Sequence, residues 1–341
     1  MSTRYTTDAG AINTAGNWDG DTLPVATDVV QIKHAMTVDG AAYARFPESG
    51  TFASLDLAAT GGASPGLVVT GTVEIAATTV TGIENLADSG ASAVLTVTAP
   101  GGASSTLNNG YICYEDTTFT GALTVYAPAG ASHNILVDVL ASLTAVTISG
   151  TSQNDYGVDN NGTITGDVIG VCMTARDGVY NNTGSTITGD VKGTSDSDSG
   201  VYNDGIITGD VSGVSDSSQS VLNDTNGAIT GDVIGVSNTN IGVQNVGTIT
   251  GDITGTGNRG ASALGVYNAG TIVADNITAQ GTDAQAFWDI GGTLTEGVGA
   301  AGVNLTVRRL DGGQAIELGA TTISDELKVT YESNGVTPLV V

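Results

Sequence analysis

Basic residues are scarce in this sequence. Nine Lys and Arg stand against 35 Asp and Glu, which gives a formal charge of −26 at pH 7. A surface of that charge repels phosphate groups, so it argues against nucleic acid and anionic membranes as partners. The acidity itself is explained by solubility, because charge discourages strands from associating edge to edge. Binding of divalent cations is the alternative explanation.

Aromatic and charged residues are also few, at 5% and 13% of the 341 positions, whereas glycine occurs 50 times. This composition disfavours a helical bundle, because glycine is entropically costly inside helices. The Val, Ile and Thr content favours strands, and 40% hydrophobic residues are enough to bury a core. We therefore expect an all-β protein that is dense in turns.

Several sequence signals are lacking. The first 17 residues contain no apolar stretch of the signal-peptide kind, and no run approaches transmembrane length, so folding in a cytoplasm is expected. Cys113 and Cys172 lack metal-ligand spacing and are predicted to be buried free thiols. No nucleophilic triad, phosphate loop or zinc pattern is present, so His34 and His133 are predicted to be structural.

The chain does contain an internal repeat. Val-x-Asn returns from Val158 onward at steps of 21, 22, 20, 22, 23 and 21 residues, the last copy being the degenerate Phe287–Asp289. Most copies continue as Gly-Thr-Ile-Thr-Gly-Asp-Val or a variant of it. A unit of this length with β-branched strands is typical of one coil of a parallel β-helix. Residues 28–300 are predicted to form a right-handed parallel β-helix of roughly 12 coils, clearest over 155–290.

The repeat also predicts the direction of its side chains. Strand alternation points Val158 and Ile164, with their equivalents in later coils, into the core. The recurrent Asn is predicted to turn a tight corner in a left-handed backbone conformation and to bond to the next coil. The asparagines of this predicted ladder are Asn160, Asn181, Asn203, Asn223, Asn245 and Asn268.

The Thr-Gly-Asp tripeptide places one outward carboxylate on each clear coil. An exposed bend that bonds to local amides explains it structurally, whereas stacked carboxylates roughly 5 Å apart suggest a calcium ladder as the alternative. Calcium is the only cofactor that the sequence suggests. The candidate ligands are Asp167, Asp190, Asp210, Asp232 and Asp252.

Three further surfaces are candidates for recognition. Tyr180, Tyr202 and Tyr267 predict an outward tyrosine row, for sugar or for a neighbouring subunit. Thr-x-Thr pairs suggest ice binding, but Ile206, Ala228 and Val273 interrupt them, and two-residue insertions are expected to disturb the flatness of the array. The variable loops recur at one corner and should form one face. Their candidate recognition residues are Arg176, Asp196, Asp198, Asp216, Asn238 and Arg259.

The two ends do not repeat. Residues 1–27 are predicted to form an N-terminal cap or attachment segment, in which Trp18 and Pro24, with Asp28, close the first coil. Residues 301–341 hold about four strand patterns with Asp-Gly and Asn-Gly turns. They are predicted to form a small β domain for capping, oligomerisation or docking.

Residues 16–40 resemble the opening coil of right-handed parallel β-helix proteins of bacteriophages and bacterial surfaces. A Trp-containing turn, a Pro, an Asp-x-Val-x-Ile stretch and a Thr-Val-Asp-Gly strand carry the resemblance. The matching residues are Trp18, Pro24, Asp28, Val30, Ile32, Val38 and Asp39. The resemblance implies a homotrimeric protein of a virion, as a fibre, a spike or a capsid decoration, that attaches to other virion proteins.

The resulting functional hypothesis is a non-enzymatic structural or adhesive protein of a phage particle. A tailspike-type depolymerase that acts on host surface glycans is the first alternative, although carboxylates at glycosidase spacing are too common in the repeat to single out a pair. A bacterial surface adhesin, located outside the cell, is the second alternative.

Overall fold

The structure is a computed structural model in which nearly every described residue lies in or between β-strands. It describes residues 2–25, 28–31, 34–39, 45–46, 54–56, 66–70, 72–76, 80–81, 86–87, 94–98, 105–108, 111–113, 116–119, 122–127, 135–139, 141–259, 263–282, 286–297, 302–309, 316–319, 321–323 and 326–333. Within these ranges the helical segments are two 3-10 helices, Ala15–Asn17 and Asp19–Asp21. No helix in the described part of the chain is long and apolar enough to cross a membrane.

The chain divides into two compact units. Unit 1 comprises Met1–Gln153 and Val158–Asp167, and unit 2 comprises Asn154–Gly157 and Val168–Val341. In each unit the described strands pair in parallel with strands about one coil away in the sequence. The predicted parallel β-helix is confirmed for both units.

Each coil of unit 2 passes through three columns of strands in turn. The first column holds the Val-x-Asn strands Val179–Asn181, Val201–Asn203, Val221–Asn223, Val243–Asn245, Val266–Asn268, Phe287–Asp289 and Ile316–Leu318. The second column holds Thr186–Thr188, Ile206–Thr208, Ala228–Thr230, Thr248–Thr250, Thr271–Val273, Thr293–Thr295 and Thr322–Ile323. The third column starts with the second half of Thr163–Cys172 and continues with Val191–Ser195, Val211–Ser215, Val233–Ser237, Ile253–Gly257, Asn276–Gly281, Val303–Arg309 and Leu327–Ser333.

Unit 1 follows the same three-column plan with less regular strands. Its first column holds Gly10–Ala11, Ala35–Asp39, Gly66–Thr70, Leu86–Ala87, Tyr111–Cys113, Ile135–Val137 and Val158–Asn160. Its second column holds Arg45–Phe46, Thr72–Ala76, Val94–Thr98, Asp116–Phe119 and the first halves of Ser142–Ser152 and Thr163–Cys172. Its third column holds Thr3–Tyr5, Val29–Gln31, Ser54–Asp56, Val80–Thr81, Ser105–Asn108, Leu123–Ala127 and the second half of Ser142–Ser152.

Three stacks of aliphatic side chains fill the interior of unit 2, because alternation turns one side of each strand inward. The predicted first-column and second-column stacks are present in unit 2, and Val158 and Ile164 are also buried within unit 1. A third stack comes from the third column and consists of Val168, Val191, Val211, Val233, Ile253, Ile277 and Leu305. Full burial of one such side chain contributes about 1.5–3 kcal/mol.

Glycine permits backbone to pack directly on backbone between the third and first columns. A Cβ atom added to Gly213 would lie 2.1 Å from the carbonyl oxygen of Ser220, and one on Gly235 would lie 2.0 Å from that of Gly242. These glycines occupy the centres of their strands, where a side chain has no room. Glycine is therefore a packing requirement at Gly213 and Gly235, whereas Ala279 and Val307 occupy the equivalent position in later strands.

The Thr-Gly-Asp corner needs glycine for a second reason. Gly231 has a φ of +148°, and an added Cβ would lie 2.2 Å from the carbonyl oxygen of Gly209 in the preceding coil. Gly209 and Gly251 have the same φ within a degree and the same close approach. The corner thus combines a backbone conformation that favours glycine with a contact that excludes any side chain.

The described strands at both chain ends pair with the columns. Thr3–Tyr5 pairs in parallel with Val29–Gln31, so the N-terminal segment contributes a strand to the third column of unit 1. At the other end, Val303–Arg309 pairs in parallel with Asn276–Gly281 and then with Leu327–Ser333. These strands continue the columns because their alternating apolar residues extend the buried stacks, as Leu305 does. The Asp-Gly and Asn-Gly turns predicted there lie outside the described residues.

The two-residue insertions leave the register of the second column intact. The extra residues lie at the corner between the first and second columns, within 182–185 and 224–227. Thr186 still pairs with Ile206, and Ile206 with Ala228, so the register of the strands is unbroken. Corner loops absorb the insertions because they lie outside the ladder of backbone hydrogen bonds.

We predict that Gly231→Ala destabilises unit 2 by about 3 kcal/mol or more, since the methyl group adds overpacking to an unfavourable φ. Gly184→Ala is the matched control, because Gly184 also has a positive φ, +81°, but no atom within 4 Å of an added Cβ. We expect it to cost about 1–2 kcal/mol. Urea unfolding followed by circular dichroism measures both, and equal losses would contradict the close-approach explanation.

Candidate functional site

A ladder of buried side-chain amides runs along the first column of unit 2. Each Asn donates a hydrogen bond from Nδ2 to Oδ1 of the next Asn, at 2.7–2.8 Å. The ladder consists of Asn181, Asn203, Asn223, Asn245 and Asn268, and it ends on Oδ2 of Asp289 at 2.6 Å. All these side chains are fully buried. In unit 1, Asn160 is likewise buried and accepts a bond from the Gly162 amide.

The prediction that the recurrent asparagines adopt a left-handed backbone conformation is wrong. Among the described non-glycine residues only Asp21 has a positive φ, so the ladder asparagines are not left-handed. Each is the last residue of an extended first-column strand, as in Val221–Asn223. The amide is selected because one side chain that both donates and accepts can bond to a copy of itself in the next coil.

The aspartates of Thr-Gly-Asp bond to the backbone of the following coil. The Oδ1 atom of Asp190 accepts a hydrogen bond from the Asp210 amide at 2.9 Å, and Asp210 accepts one from the Asp232 amide at 2.8 Å. Asp232 in turn accepts from the Asp252 amide at 2.8 Å. Asp167, which belongs to unit 1, is exposed. The row therefore satisfies a backbone donor at each corner.

The geometry gives the calcium hypothesis no support. Asp232, Asp252 and Asp275 line a shallow groove of about 300 Å³ with Ala274 and Gly297. Asp252 is already engaged there, because Oδ1 accepts the amides of residues 275 and 276 and Oδ2 accepts the side-chain amide of residue 276. In the described part of the chain, no three His, Cys, Asp or Glu side chains lie close enough to hold a metal ion.

Buried serines tie the variable loops to the third column. The hydroxyls of Ser195, Ser215 and Ser237 each donate to a carbonyl oxygen in the preceding loop, at 2.6–2.8 Å. Each also accepts an amide of its own loop, at 2.9–3.0 Å. Cys172 occupies the equivalent position one coil earlier as a buried free thiol, and its Sγ accepts the Arg176 amide. The loops are therefore held in a regular row.

The candidate recognition residues share this row. Asn238 donates from Nδ2 to Asp216 at 2.5 Å, and Asn258 donates to Asn238 at 3.3 Å. Asp196 and Arg259 are exposed. Asp216 and Asn238 thus bond from loop to loop, which the sequence reasoning did not foresee.

Asp177 is the residue of the loop row whose pKa is shifted most. It is 5% exposed, and its Oδ1 accepts the Ser199 amide at 2.9 Å. Burial and the negative charge of Asp198 raise the pKa of Asp177 to about 7, although the Ser199 hydrogen bond and the charge of Arg176 act in the opposite direction. Sequence reasoning missed this residue. Its one signal is an acid at a position where later coils carry Ser, Gln, Ile and Leu.

The tyrosine row is a stack of rings. Tyr156 and Tyr180 lie 4.9 Å apart between centroids, and Tyr180 and Tyr202 lie 4.8 Å apart with nearly parallel planes. The guanidinium of Arg176 lies 5.2 Å from the Tyr156 centroid. Both faces of Tyr180 are covered, so no sugar ring can stack on it.

Tyr202 and Tyr267 have different environments. Tyr202 donates its hydroxyl to Asp224 at 2.6 Å, and burial together with this bond and the Asp224 charge raises the pKa of Tyr202. Tyr267 lies apart, edge-on to Trp288 at 5.4 Å, and both pack against Ile241 and Leu264. The predicted row is therefore divided into two patches, because Leu222 and Gln244 occupy the intervening coils.

Unit 1 buries the residues predicted to close its first coil. Trp18 is 1% exposed, and its indole nitrogen donates to the Ile12 carbonyl at 2.8 Å. Pro24 is buried, and Asp28 accepts bonds from the Ser2 hydroxyl and the Val25 amide. Burial acts to raise the pKa of Asp28, but these bonds and the charge of Arg4 outweigh it and lower that pKa.

The remaining predicted residues are structural or lie outside the description. His34 bonds through Nδ1 and its amide to Thr6, which joins two neighbouring strands. His133 and Ile32 lie outside the described residues, as do the side chains of Cys113, Val38 and Asp39. Val30 is fully buried.

We predict that Asp177 makes the stability of unit 2 fall with rising pH. Its folded-state pKa of about 7 exceeds the ordinary value of 3.8, so its stabilising contribution is complete below about pH 4 and is lost as the pH rises through 7. Between pH 5 and pH 8 the loss is about 2–3 kcal/mol. Asp177→Asn keeps an oxygen that accepts the Ser199 amide, and it should reduce the difference in urea midpoint between pH 5 and pH 8. An unchanged pH dependence would refute the assignment.

We predict that Asp232→Ala lowers the free energy of unfolding by about 1 kcal/mol, because it removes the acceptor for the Asp252 amide. Asp232→Asn keeps an acceptor oxygen and should lose less than half of that. Millimolar calcium should leave the melting temperatures of the wild type and of both variants unchanged. A calcium-dependent rise that Asp232→Asn abolishes would restore the metal hypothesis.

No family model, no curated protein and no solved structure matches this chain.

Proposed function

We propose that the chain is a non-enzymatic structural or adhesive protein of a bacteriophage particle. The supporting observation is that the repeated polar side chains form hydrogen bonds between coils. The Asn ladder, the Asp row and the buried serines such as Ser215 all bond from one coil to another. Groups that could have served chemistry are thereby committed to holding the coils together, which suits a protein whose task is mechanical.

The assignment to a phage particle depends on the resemblance of residues 16–40 to the opening coil of phage β-helices. Its Trp18, Pro24 and Asp28 are all buried, as the first coil of a solenoid requires. The proposal includes assembly as a homotrimer and attachment to other virion proteins. Immunogold electron microscopy with antibodies against this chain tests it, since labelled particles are expected in lysates of the source culture and unlabelled particles would overturn it.

A depolymerase is the second candidate, and Asp177 is the observation that favours it. A carboxyl group with a pKa near 7 beside a second acid, Asp198, has the properties of a general acid. Against this, Asp177 is 5% exposed, so a glycan could not reach its carboxyl without a change in the loop. Direct contact with substrate is a requirement for general acid catalysis.

We predict that the intact chain releases no oligosaccharide from capsular or O-antigen polysaccharide. The assay measures reducing ends and product size after long incubation at pH 5 and pH 8. Asp177→Asn and Asp198→Asn serve as matched variants. Release by the wild type that both variants lose would replace the structural proposal with the depolymerase.

A further inference from the structure

Most acidic residues in the described part of unit 2 lie at the corners of the coil, whereas Asp289, Glu317 and Glu332 lie in strands. One group lies between the second and third columns, a second lies in the loops, and a third lies between the first and second columns. Their members include Asp190, Asp210 and Asp232; Asp196 and Asp216; and Asp204 and Asp224. The flat faces between the corners differ from one another in what they present to solvent.

The third-column face holds no carboxylate at its outward positions between residues 168 and 308. Its outward side chains include Ile169, Val171, Lys192, Val214, Ile234 and Val236. Ile234 is 49% exposed and Val214 38% exposed, while the other three aliphatic residues are half-buried. In a chain with a formal charge of −26, this stretch of the face is free of acids. Besides five aliphatic and two basic residues, its outward positions hold Ser, Thr, Asn and Gln.

Val214, Ile234 and Val236 form one patch, which Lys192 and Thr194 separate from Ile169 and Val171. Val214 pairs directly with Val236 in the next coil, and Ile234 stands two residues before Val236 on the same side of its strand. Neighbouring strands are about 4.8 Å apart, so these side chains touch across the face. Such a patch on a strongly acidic protein marks an interaction surface.

The second column provides a contrast. Its outward positions are mostly threonines such as Thr208, Thr230 and Thr250, all exposed. Hydroxyl groups keep that face hydrated, and Ile206, at 49% exposure, has only Thr186 and Ala228 as cross-strand neighbours. A single exposed apolar residue needs no explanation. Of these two faces, the third column is therefore the one from which water is more readily removed.

We propose that the third-column face is buried against a second copy of this chain. Contact between two copies through any acidic corner would oppose carboxylates, which costs free energy at this net charge. The third-column face avoids that cost, and burial of its aliphatic side chains favours association. The proposal rests on the homo-oligomeric part of the proposed function and adds the surface responsible.

The size of the face agrees with this role. Seven third-column strands, from the second half of Thr163–Cys172 to Val303–Arg309, span roughly 34 Å at 4.8 Å each, and five residues span roughly 16 Å along a strand. The product is about 540 Å² on each copy, or about 1,100 Å² for two copies. A specific interface needs about 1,000 Å² in total, so the face reaches that size without the acidic corners.

A matched pair of variants tests the proposal. Ile234→Glu and Ile206→Glu add the same charge at positions with the same 49% exposure, but on different faces. Sedimentation equilibrium of the full chain over a range of concentrations measures the association constant. We expect the wild type and Ile206→Glu to form the same oligomer and Ile234→Glu to associate at least tenfold more weakly. Higher salt should strengthen association of the wild type, because it screens repulsion between copies.

Each other outcome has a definite meaning. A wild type that is monomeric at all concentrations overturns both this proposal and homo-oligomerisation. An oligomer that Ile234→Glu leaves unchanged, or that Ile206→Glu weakens equally, overturns the assigned face alone. Circular dichroism establishes that each variant is folded. If Ile234→Glu does not fold, Val214→Thr supplies the test, and about fourfold weaker association is expected from the loss of one buried methyl group.

Discussion

The whole structure depends on one constraint, that each residue is placed directly over its equivalent in the next coil. Parallel pairing sets residues such as Val201 and Val221 in register about 4.8 Å apart. Each inward side chain must therefore pack against the equivalent side chain of the next coil. Aliphatic residues do so through dispersion contacts, and asparagine does so because its amide carries both donor and acceptor. Aspartate meets the requirement differently, since a backbone amide of the next coil stabilises each carboxylate.

The same constraint explains how so acidic a chain can form stacked sheets. Like charges at strand spacing would repel one another inside a column, and most described carboxylates of unit 2 lie at the corners instead of in strands. There they find amide donors, as Asp210 does from Asp232, or hydroxyl donors, as Asp224 does from Tyr202. The strand faces are left with Thr, Val, Ile and Gly. The positions of the carboxylates and the packing of the strands thus both follow from the stacking of equivalent residues in successive coils.

Sequence periodicity was enough to predict the coil, its inward residues and the asparagine ladder, because all three follow from local repetition. It could not show that Val303–Arg309 continues the columns, since that pairing joins segments without the repeat motif. Nor could it show the burial of Asp177, which depends on how the loop closes over the third column. The contacts of Tyr180 were likewise hidden, because Tyr156 lies outside the repeated tripeptide. Tertiary context decides these features.

The asparagine ladder has a direction. Every Nδ2 donates toward the following coil, so the amide dipoles of the first column align head to tail along the chain. Their positive ends point toward the last member, Asp289, where a fully buried carboxylate takes the place of an amide. An anion at the positive end of aligned peptide dipoles is the arrangement that stabilises helix N-termini. The ladder is therefore a directional chain of hydrogen bonds that ends on a carboxylate. Leu318, which pairs with Asp289 in the next coil, has no polar side-chain group that could extend it.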